Sequence, residues 1–281
     1  MPWLRILLST GLLLAACSGT SSAVEPIRFA PLPMENREAT VRAFNPLVEH
    51  LQRRLGQPVS LVYFDRYDDI LDAFANGLID IAFVGPLPYV TLRQRHPDTE
   101  PLLRFREPDG RVEYRCALIA FAGDDIDLAR LRGKRVGLTQ RLSTCGYLGT
   151  HAILRKQAGI GLEDTDHRYL GSHENVALAV VAGEVDVGGV KDEYATRFAP
   201  LGITVLAWSD PVPATGLAAN RATLGEERIA LIRRILLDTP ASVYSTWGKV
   251  IAHGMDTVDD ADFEALRRFG DPATIPPEPR R

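Results

Sequence analysis

Short apolar strands alternate with amphipathic helices along most of this 281-residue chain. The first series begins at Ile27 to Pro31, continues with an apolar stripe at helical spacing that Gly56 ends, and reaches a third strand at Asp80 to Val84. A second series begins at Arg135 and ends with the strand Val185 to Val190. Strands that alternate with helices indicate parallel βαβ units, and a chain of this length can form two such lobes.

Two turns of the first series carry residues that are typical of a ligand site. Tyr67 follows the predicted strand Val59 to Phe64, and Gly85 and Tyr89 follow the strand that ends at Val84. In open α/β sheets, ligands bind beyond the carboxyl ends of the strands. We therefore expect Tyr67, Gly85 and Tyr89 to face a ligand.

The stretch from Leu138 to Gly146 predicts an oxyanion-binding turn. It reads L-T-Q-R-L-S-T-C-G and joins a short strand to a helical run from Tyr147 to Gln157. A helix start offers backbone N–H groups and the positive end of its dipole to an anion. The hydroxyls of Ser143 and Thr144 can donate two further hydrogen bonds, and Gly146 would let the backbone approach a ligand closely. The alternative is that Ser143 or Thr144 only caps the helix.

The charge balance of the chain requires that any anion site be local. There are 32 basic and 36 acidic residues, which give a net charge of -4. No global basic field therefore favours nucleic acid or an anionic membrane. The sequence has no histidine or cysteine pair at metal-binding spacing, and no phosphate-binding or dinucleotide-binding fingerprint. We expect no metal and no cofactor.

Residues 1–17 predict a secretory signal that ends at a lipidated cysteine. An apolar run from Ile6 to Ala16 follows Arg5 and is too short to span a bilayer. The segment ends in L-A-A-C, which resembles a bacterial lipobox, where cleavage leaves Cys17 to carry the lipid. We expect a periplasmic protein that is held to the membrane only through this lipid, with residues 18–25 as a linker. Cleavage after Ala23, which would release a soluble protein, is the alternative.

Lipidation of Cys17 would leave Cys116 and Cys145 as a pair in an oxidising compartment. A structural disulfide is the first interpretation of such a pair. A second is that Cys145, at a helix start that favours the thiolate, is a soft ligand for a thiophilic solute. The alternative from another functional class is a cysteine-dependent hydrolase or transferase, with Cys145 as nucleophile and His173 as base.

Three blocks of the sequence resemble the phosphonate-binding branch of periplasmic solute-binding proteins. They read D-A-F-A-N-G-L-I-D-I-A-F-V-G-P-L-P-Y, then R-G-K-R-V-G-L followed by S-T-C-G-Y, and G-S-H-E-N-V-A-L-A-V-V-A-G-E-V-D-V-G. The resemblance implies an α/β fold with two lobes, the type II binding-protein fold, with mixed, mostly parallel sheets joined by a hinge of strands. Lobe 1 would comprise residues 26–113 and 210–281, and lobe 2 residues 114–209.

The resemblance also implies roles for individual residues. Ser143 and Thr144 would form the oxyanion cradle, and Cys145 stands where the family usually has another serine. The third residue of Tyr114-Arg115-Cys116 is also commonly serine in this family. The other matching positions are two cleft tyrosines, Tyr67 and Tyr89, and a histidine-acid pair, His173 and Glu174. For His173, a capping or core role is the alternative.

These matches imply a monomeric, extracytoplasmic binding protein without catalysis, which closes over a small oxyanion. Two readings of the ligand remain open. One is phosphonate, phosphite or phosphate, delivered to an ABC transporter permease. The other is arsenite, held by the soft sulfurs of Cys116 and Cys145, because the pattern is similar to arsenite-binding periplasmic proteins that feed a sensor histidine kinase.

Overall fold

A computed structural model describes residues 25–267 and 275–276 of the chain. The expected signal segment 1–17, Cys17 and almost all of the linker 18–25 lie outside the described residues. The described chain forms a six-stranded sheet, a five-stranded sheet and a two-stranded ribbon. Within this part of the chain, no helix is both long and apolar enough to cross a bilayer.

The elements alternate much as the sequence pattern predicts. The strands are β1 (Ile27–Pro31), β2 (Val59–Leu61), β3 (Ile81–Val84), β4 (Thr99–Phe105), β5 (Glu113–Tyr114), β6 (Cys116–Phe121), β7 (Arg135–Leu138), β8 (Asp166–Tyr169), β9 (Val187–Lys191), β10 (Ile203–Trp208), β11 (Val212–Pro213), β12 (Gly216–Asn220) and β13 (Met255–Asp256). The helices are α1 (Arg37–Leu55), α2 (Tyr67–Ala75), α3 (Pro86–Arg95), α4 (Thr150–Ile153), α5 (His173–Val181), α6 (Asp192–Phe198), α7 (Arg221–Leu224), α8 (Glu226–Leu237), α9 (Ala241–Tyr244) and α10 (Glu264–Arg267).

We name the part of the chain built on the six-stranded sheet lobe 1. Its strand order is β13-β4-β12-β3-β1-β2, and β1, β2 and β3 pair in parallel. The central strand β3 reads I-A-F-V and is buried along its whole length, which is typical of a strand that helices cover on both faces. On one of those faces, α1 places the ring of Phe44 at 4.8 Å from the ring of Phe83 in β3.

Local chemistry fixes both ends of α1. The side chain of Asn36 accepts a hydrogen bond from the backbone N–H of Ala39 at 2.9 Å and so caps the start of the helix. Gly56 ends the helix with φ at 63°, in the left-handed region that favours glycine. The stop at Gly56 therefore matches the one that the sequence predicts.

Lobe 2, the part built on the five-stranded sheet, has the strand order β10-β6-β9-β7-β8. β7 pairs in parallel with β8 and β9, whereas β6 and β10 add antiparallel strands. Wide, π-helical turns flank α4, so that one helical segment covers residues 144–158. We name this segment the cradle helix. It connects β7 to β8, as the sequence predicts for the helix that follows the S-T-C-G turn.

A two-stranded antiparallel ribbon, β5 with β11, joins the lobes. The chain leaves lobe 1 through β5 and returns through β11, because β6 to β10 all belong to the sheet of lobe 2. The predicted α/β fold with two lobes and mixed sheets is confirmed. The sequence pattern did not predict β4 or β13, which extend the sheet of lobe 1 on its antiparallel side.

Candidate functional site

The starts of five helices converge on one small cavity between the lobes. The helices follow neighbouring strands, and the carboxyl ends of parallel strands lie at the same edge of a sheet. Backbone N–H groups and positive dipole ends therefore point toward the cavity, which is the environment that an anion requires. The lining residues at these helix starts are Tyr67 for α2, Gly85 for α3, Ser143 and Thr144 for the cradle helix, His173 for α5 and Lys191 for α6.

Ser143 caps the cradle helix and lies at the cavity. Its Oγ accepts a hydrogen bond from the backbone N–H of Gly146 at 3.0 Å, so it caps the cradle helix, and it also lines the cavity. Gly146 itself does not line the cavity. A Cβ there would lie 1.9 Å from Oγ1 of Thr139, so glycine is needed for the helix to begin against the end of β7 rather than for the approach of a ligand.

Two hydrogen bonds connect the helix starts of lobe 1 to side chains of lobe 2. The backbone N–H of Leu87 in α3 donates to Oγ1 of Thr144 at 3.0 Å. The backbone N–H of Tyr67 in α2 donates to Oε1 of Gln140 at 2.8 Å. Both N–H groups belong to the first turn of a helix and have no partner within it. They are directed at oxygen atoms of the facing lobe, which is how they would meet an oxyanion.

His173 lies buried beside the cavity as a neutral base. Its ring is 4.9 Å from the ring of Tyr194, and its Nδ1 accepts a hydrogen bond from the backbone N–H of Lys191 at 3.3 Å. Burial, with a smaller contribution from the Lys191 ammonium, lowers the pKa of His173 to about 3. Because Nδ1 is an acceptor, the ring proton is on Nε2, where it is available as a donor.

Lys191 and Glu107 form a buried ion pair across the two lobes. The Nζ of Lys191 is 2.8 Å from Oε1 and 2.9 Å from Oε2 of Glu107, and it lies 4.9 Å from the centre of the Tyr114 ring. The two side chains are 4% and 8% exposed. Burial raises the pKa of the Glu107 carboxyl, and the Lys191 ammonium opposes that shift. Glu107 follows β4 in lobe 1, so this pair connects the lobes as well.

Cys116 and Cys145 are joined in a disulfide, with 4.9 Å between their Cα atoms. Both residues are buried. Cys145 lines the cavity, whereas Cys116 begins β6 and does not. A sulfur in a disulfide is neither a thiolate ligand nor a nucleophile. In this form, both the arsenite reading and the hydrolase reading lack the group on which they depend.

Two other predicted site residues lie away from the cavity. The hydroxyl of Tyr89 donates to Oδ1 of Asp260 at 2.8 Å, and its ring packs 4.2 Å from the ring of Phe263. Glu174 is partly exposed, and its carboxylate lies 3.9 Å from the guanidinium of Arg197. Of the sequence-predicted residues, the cavity brings together Tyr67, Gly85, Ser143, Thr144, Cys145 and His173.

The structure adds lining residues that sequence reasoning did not select for the site. Lys191 is the last residue of β9, so the rule of strand ends would have found it. Tyr114 lies in β5 of the connecting ribbon, and Thr215 lies between β11 and β12. The Tyr114 hydroxyl bonds to Thr144, and burial raises its pKa, so the hydroxyl remains protonated. Leu32, Met34 and Pro88 add apolar lining from lobe 1.

The cavity is small, with a volume of about 20 Å³. It adjoins a wide mouth of about 1040 Å³ between the lobes, and Leu32 and Met34 line both spaces. Glu107 lines the mouth and Lys191 lines the cavity. Within residues 25–267 and 275–276, no cluster of three or more histidine, cysteine or acidic residues could hold a metal ion.

Two α/β lobes, a hinge of strands and a cavity between the lobes on which helix starts converge are the arrangement of a solute-binding protein. The chain belongs to the family of periplasmic substrate-binding proteins of phosphonate ABC transporters, whose model matches residues 29–263. The sequence-based assignment to this family is confirmed.

Relatives of known sequence or structure agree with this assignment. The Phosphate-import protein PhnD of Mycolicibacterium smegmatis is 26% identical to this chain, and the match covers 92% of each. The structure of PhnD1 from Prochlorococcus marinus in complex with methylphosphonate aligns with a TM-score of 0.77 at 16% identity, over 87% of this chain and 96% of that one. A binding protein component of an ABC phosphonate transporter from Pseudomonas aeruginosa gives a TM-score of 0.76 at 20% identity, over 88% and 85%.

Proposed function

We propose that this protein binds a small phosphorus oxyanion, such as phosphonate, phosphite or phosphate, between its lobes and delivers it to an ABC permease. The observation that carries the proposal is the convergence of five helix starts on one interlobe cavity. Helix starts from both lobes surround that cavity, so an anion bound there would contact both lobes at once. The names of the relatives, which mention phosphate import and methylphosphonate, agree with this ligand class.

The donors around the cavity suit an oxyanion. The hydroxyls of Tyr67, Tyr114, Ser143, Thr144 and Thr215 and the N–H groups of the helix starts are neutral donors on several sides. In an open form, the Leu87 and Tyr67 N–H groups would be free of their present partners in lobe 2. Closure would then be favoured to the extent that the anion makes more contacts in the closed form than in the open one.

The disulfide is the reason to prefer a phosphorus oxyanion to arsenite. Arsenite recognition through sulfur requires reduced Cys116 and Cys145, and these two residues are bonded to each other. An oxyanion held by hydroxyls and N–H groups needs no thiol. The sensor histidine kinase was linked to the arsenite reading, so we propose the permease as the partner.

We further propose that the protein acts outside the cytoplasm as a monomer on a lipid anchor at Cys17, and that it has no catalytic activity. Family membership supports the periplasmic location and the transport role. The hydrolase reading needs Cys145 activated by His173, but the Nδ1 of His173 is engaged with Lys191 and the sulfur of Cys145 is in a disulfide.

A thermal-shift series on the mature protein tests this function. Phosphite, phosphate, methylphosphonate and arsenite would each be added to the oxidised and the reduced protein. A tight ligand at a hundredfold excess over its dissociation constant stabilises the fold by about 3 kcal/mol. We expect at least one phosphorus oxyanion to stabilise both redox forms. Stabilisation by arsenite alone, in the reduced form alone and lost in Cys145→Ser, would establish the arsenite reading instead.

A matched pair of tyrosine variants locates the site. Tyr67→Phe removes a hydroxyl from a residue that lines the cavity, and Tyr89→Phe removes one that bonds to Asp260. We expect calorimetry to show weaker binding for Tyr67→Phe and unchanged binding for Tyr89→Phe. The reverse result would place the ligand on the far side of α3 and contradict the proposed site.

A further inference from the structure

Lys191 is the one described residue of the cavity lining that carries a formal charge at neutral pH. Among the described residues of the lining there is no aspartate or glutamate, and His173 is neutral because burial lowers its pKa. The charge of Lys191 is not free, however. Both carboxylate oxygens of Glu107 lie within 2.9 Å of its Nζ. Lys191 lines the cavity, and Glu107 lines the mouth.

We propose that Glu107 is a specificity-determining residue, which restricts the site to singly charged oxyanions by neutralising Lys191. This inference rests on the proposed function and states which charge form of the ligand the site accepts. Glu107 does not touch the ligand in this proposal. It acts through Lys191 and through its own negative charge beside Lys191.

The electrostatic argument starts from burial. In a buried site, charges interact more strongly than in water because the surroundings screen them less. An ammonium that already holds both oxygens of a carboxylate offers a ligand little net attraction, and a second negative charge on the ligand would be repelled by Glu107. The remaining donors are neutral hydroxyls and N–H groups. A hydroxyl can also accept a hydrogen bond, so it can pair with the protonated oxygen of a singly charged ligand.

The charges next to the pair are more negative than positive. Oε2 of Glu193 lies 3.9 Å from Nζ of Lys191, and the charge of Asp192 also acts on Glu107. The positive charge of Arg111 also acts on Glu107 and Asp192, but its guanidinium is paired with Asp109, 2.6 Å away. Tyr114, whose ring faces Nζ, is neutral. Two cations, Lys191 and Arg111, among four carboxylates therefore leave no surplus positive charge for a doubly charged ligand.

Phosphite and hypophosphite are suitable probes because they differ in how their charge changes with pH. Phosphite passes from one negative charge to two at its second pKa, whereas hypophosphite keeps a single charge throughout. Their affinities would be measured by calorimetry on the full mature protein below and above that pKa. Hypophosphite reports the pH dependence of the protein itself. For the wild-type protein, we expect the affinity for phosphite relative to hypophosphite to fall by about 10-fold or more as phosphite becomes a dianion.

Glu107→Gln keeps the shape of the side chain and removes its charge. In this variant we expect the dianion of phosphite to bind about 10-fold or more tightly than in the wild type, since Lys191 is no longer neutralised. Glu35→Gln is the matched control. Glu35 also forms an ion pair across the lobes, with Arg197, but it lies at the mouth and outside the cavity lining. We expect its phosphite-to-hypophosphite ratio to equal that of the wild type.

The results distinguish a failure of this inference from a failure of the proposed function. A wild-type protein that binds doubly charged phosphite as well as the singly charged form would overturn the inference, and this measurement needs no variant to fold. Equal ratios in Glu107→Gln and Glu35→Gln would overturn it too. If no phosphorus oxyanion binds at any pH, the proposed function itself fails.

Discussion

The two lobes contribute unequally to the cavity that they share. Lobe 2 provides Ser143, Thr144, His173 and Lys191, which are buried and polar or charged. Lobe 1 provides mainly backbone N–H groups and apolar side chains, with Tyr67 and Thr215 as its polar residues. On the proposed function, lobe 2 would supply most of the recognition chemistry. Lobe 1 would exclude water from it and complete the hydrogen bonds when the lobes close.

The largest expected effect concerns the ion pair between Lys191 of lobe 2 and Glu107 of lobe 1. Lys191→Met would leave Glu107 buried without its partner, and breaking one side of a buried ion pair costs about 3–5 kcal/mol of the free energy of unfolding. Chemical denaturation measures this loss. The double variant Lys191→Met with Glu107→Gln should recover most of it. A loss below about 1 kcal/mol, the range of exposed pairs, would show that the lobes do not need this pair.

The next effect sharpens the comparison by removing a covalent feature that only lobe 2 has. The disulfide closes a loop of 29 residues of sequence separation between Cys116 and Cys145. Loss of a bridge of that span removes about 3–4 kcal/mol of the free energy of unfolding on the chain-entropy account. We expect this loss in Cys116→Ser with Cys145→Ser. The reduced wild-type protein serves as the control and should unfold at the same denaturant concentration as the double variant.

A pair of threonine variants compares the lobes directly in ligand binding. Thr144→Ala removes a donor of lobe 2 and the acceptor of the Leu87 N–H, and we expect it to weaken oxyanion binding by about 1–3 kcal/mol. Thr215→Ala removes a hydroxyl of lobe 1, and we expect a loss of less than about 1 kcal/mol. Calorimetry on both variants decides the matter. Equal losses would break the proposed division of roles.

The smallest effect at neutral pH concerns His173. Because its pKa in the folded protein is about 3 and lies below the unfolded value of about 6.5, the unfolded state takes up a proton that the folded state does not. His173 therefore lowers the free energy of unfolding progressively as pH falls through this window, and it has no such effect above it. His173→Gln should make stability less dependent on pH between these values. His253→Gln, at an exposed position, is the control.

Much of the fold could be predicted because its signals are local. The apolar spacing of α1 and its stop at Gly56 are readable in neighbouring residues. β4 was missed because it reads T-E-P-L-L-R-F, which has no alternation and contains a proline. Its pairing with β12, more than 110 residues later, cannot be predicted from neighbouring residues.

The candidate site likewise contains some residues that the local sequence predicts and others that it does not. The turn at Ser143 and Thr144 was predictable from a strand, two hydroxyls and a helix in succession. Tyr89 has an equally suggestive position after β3, but the C-terminal segment that carries Asp260 and Phe263 covers it. The pairing of Lys191 with Glu107 joins residues 84 positions apart, and only the closed arrangement of the lobes reveals it.

The ribbon of β5 and β11 links the two lobes, so that both would hold one ligand together, as the linked arms of a chelator hold one ion. Each lobe alone would offer an oxyanion a few donors, but the paired crossings hold the second set close to the first. Once one lobe has captured the ligand, the other meets it at a high effective concentration that the length and stiffness of the ribbon determine. The ribbon would thus set part of the affinity through the spacing of the lobes, in addition to the hydroxyl that Tyr114 contributes to the cavity. Lengthening both crossings would weaken binding while leaving every donor of the cavity in place.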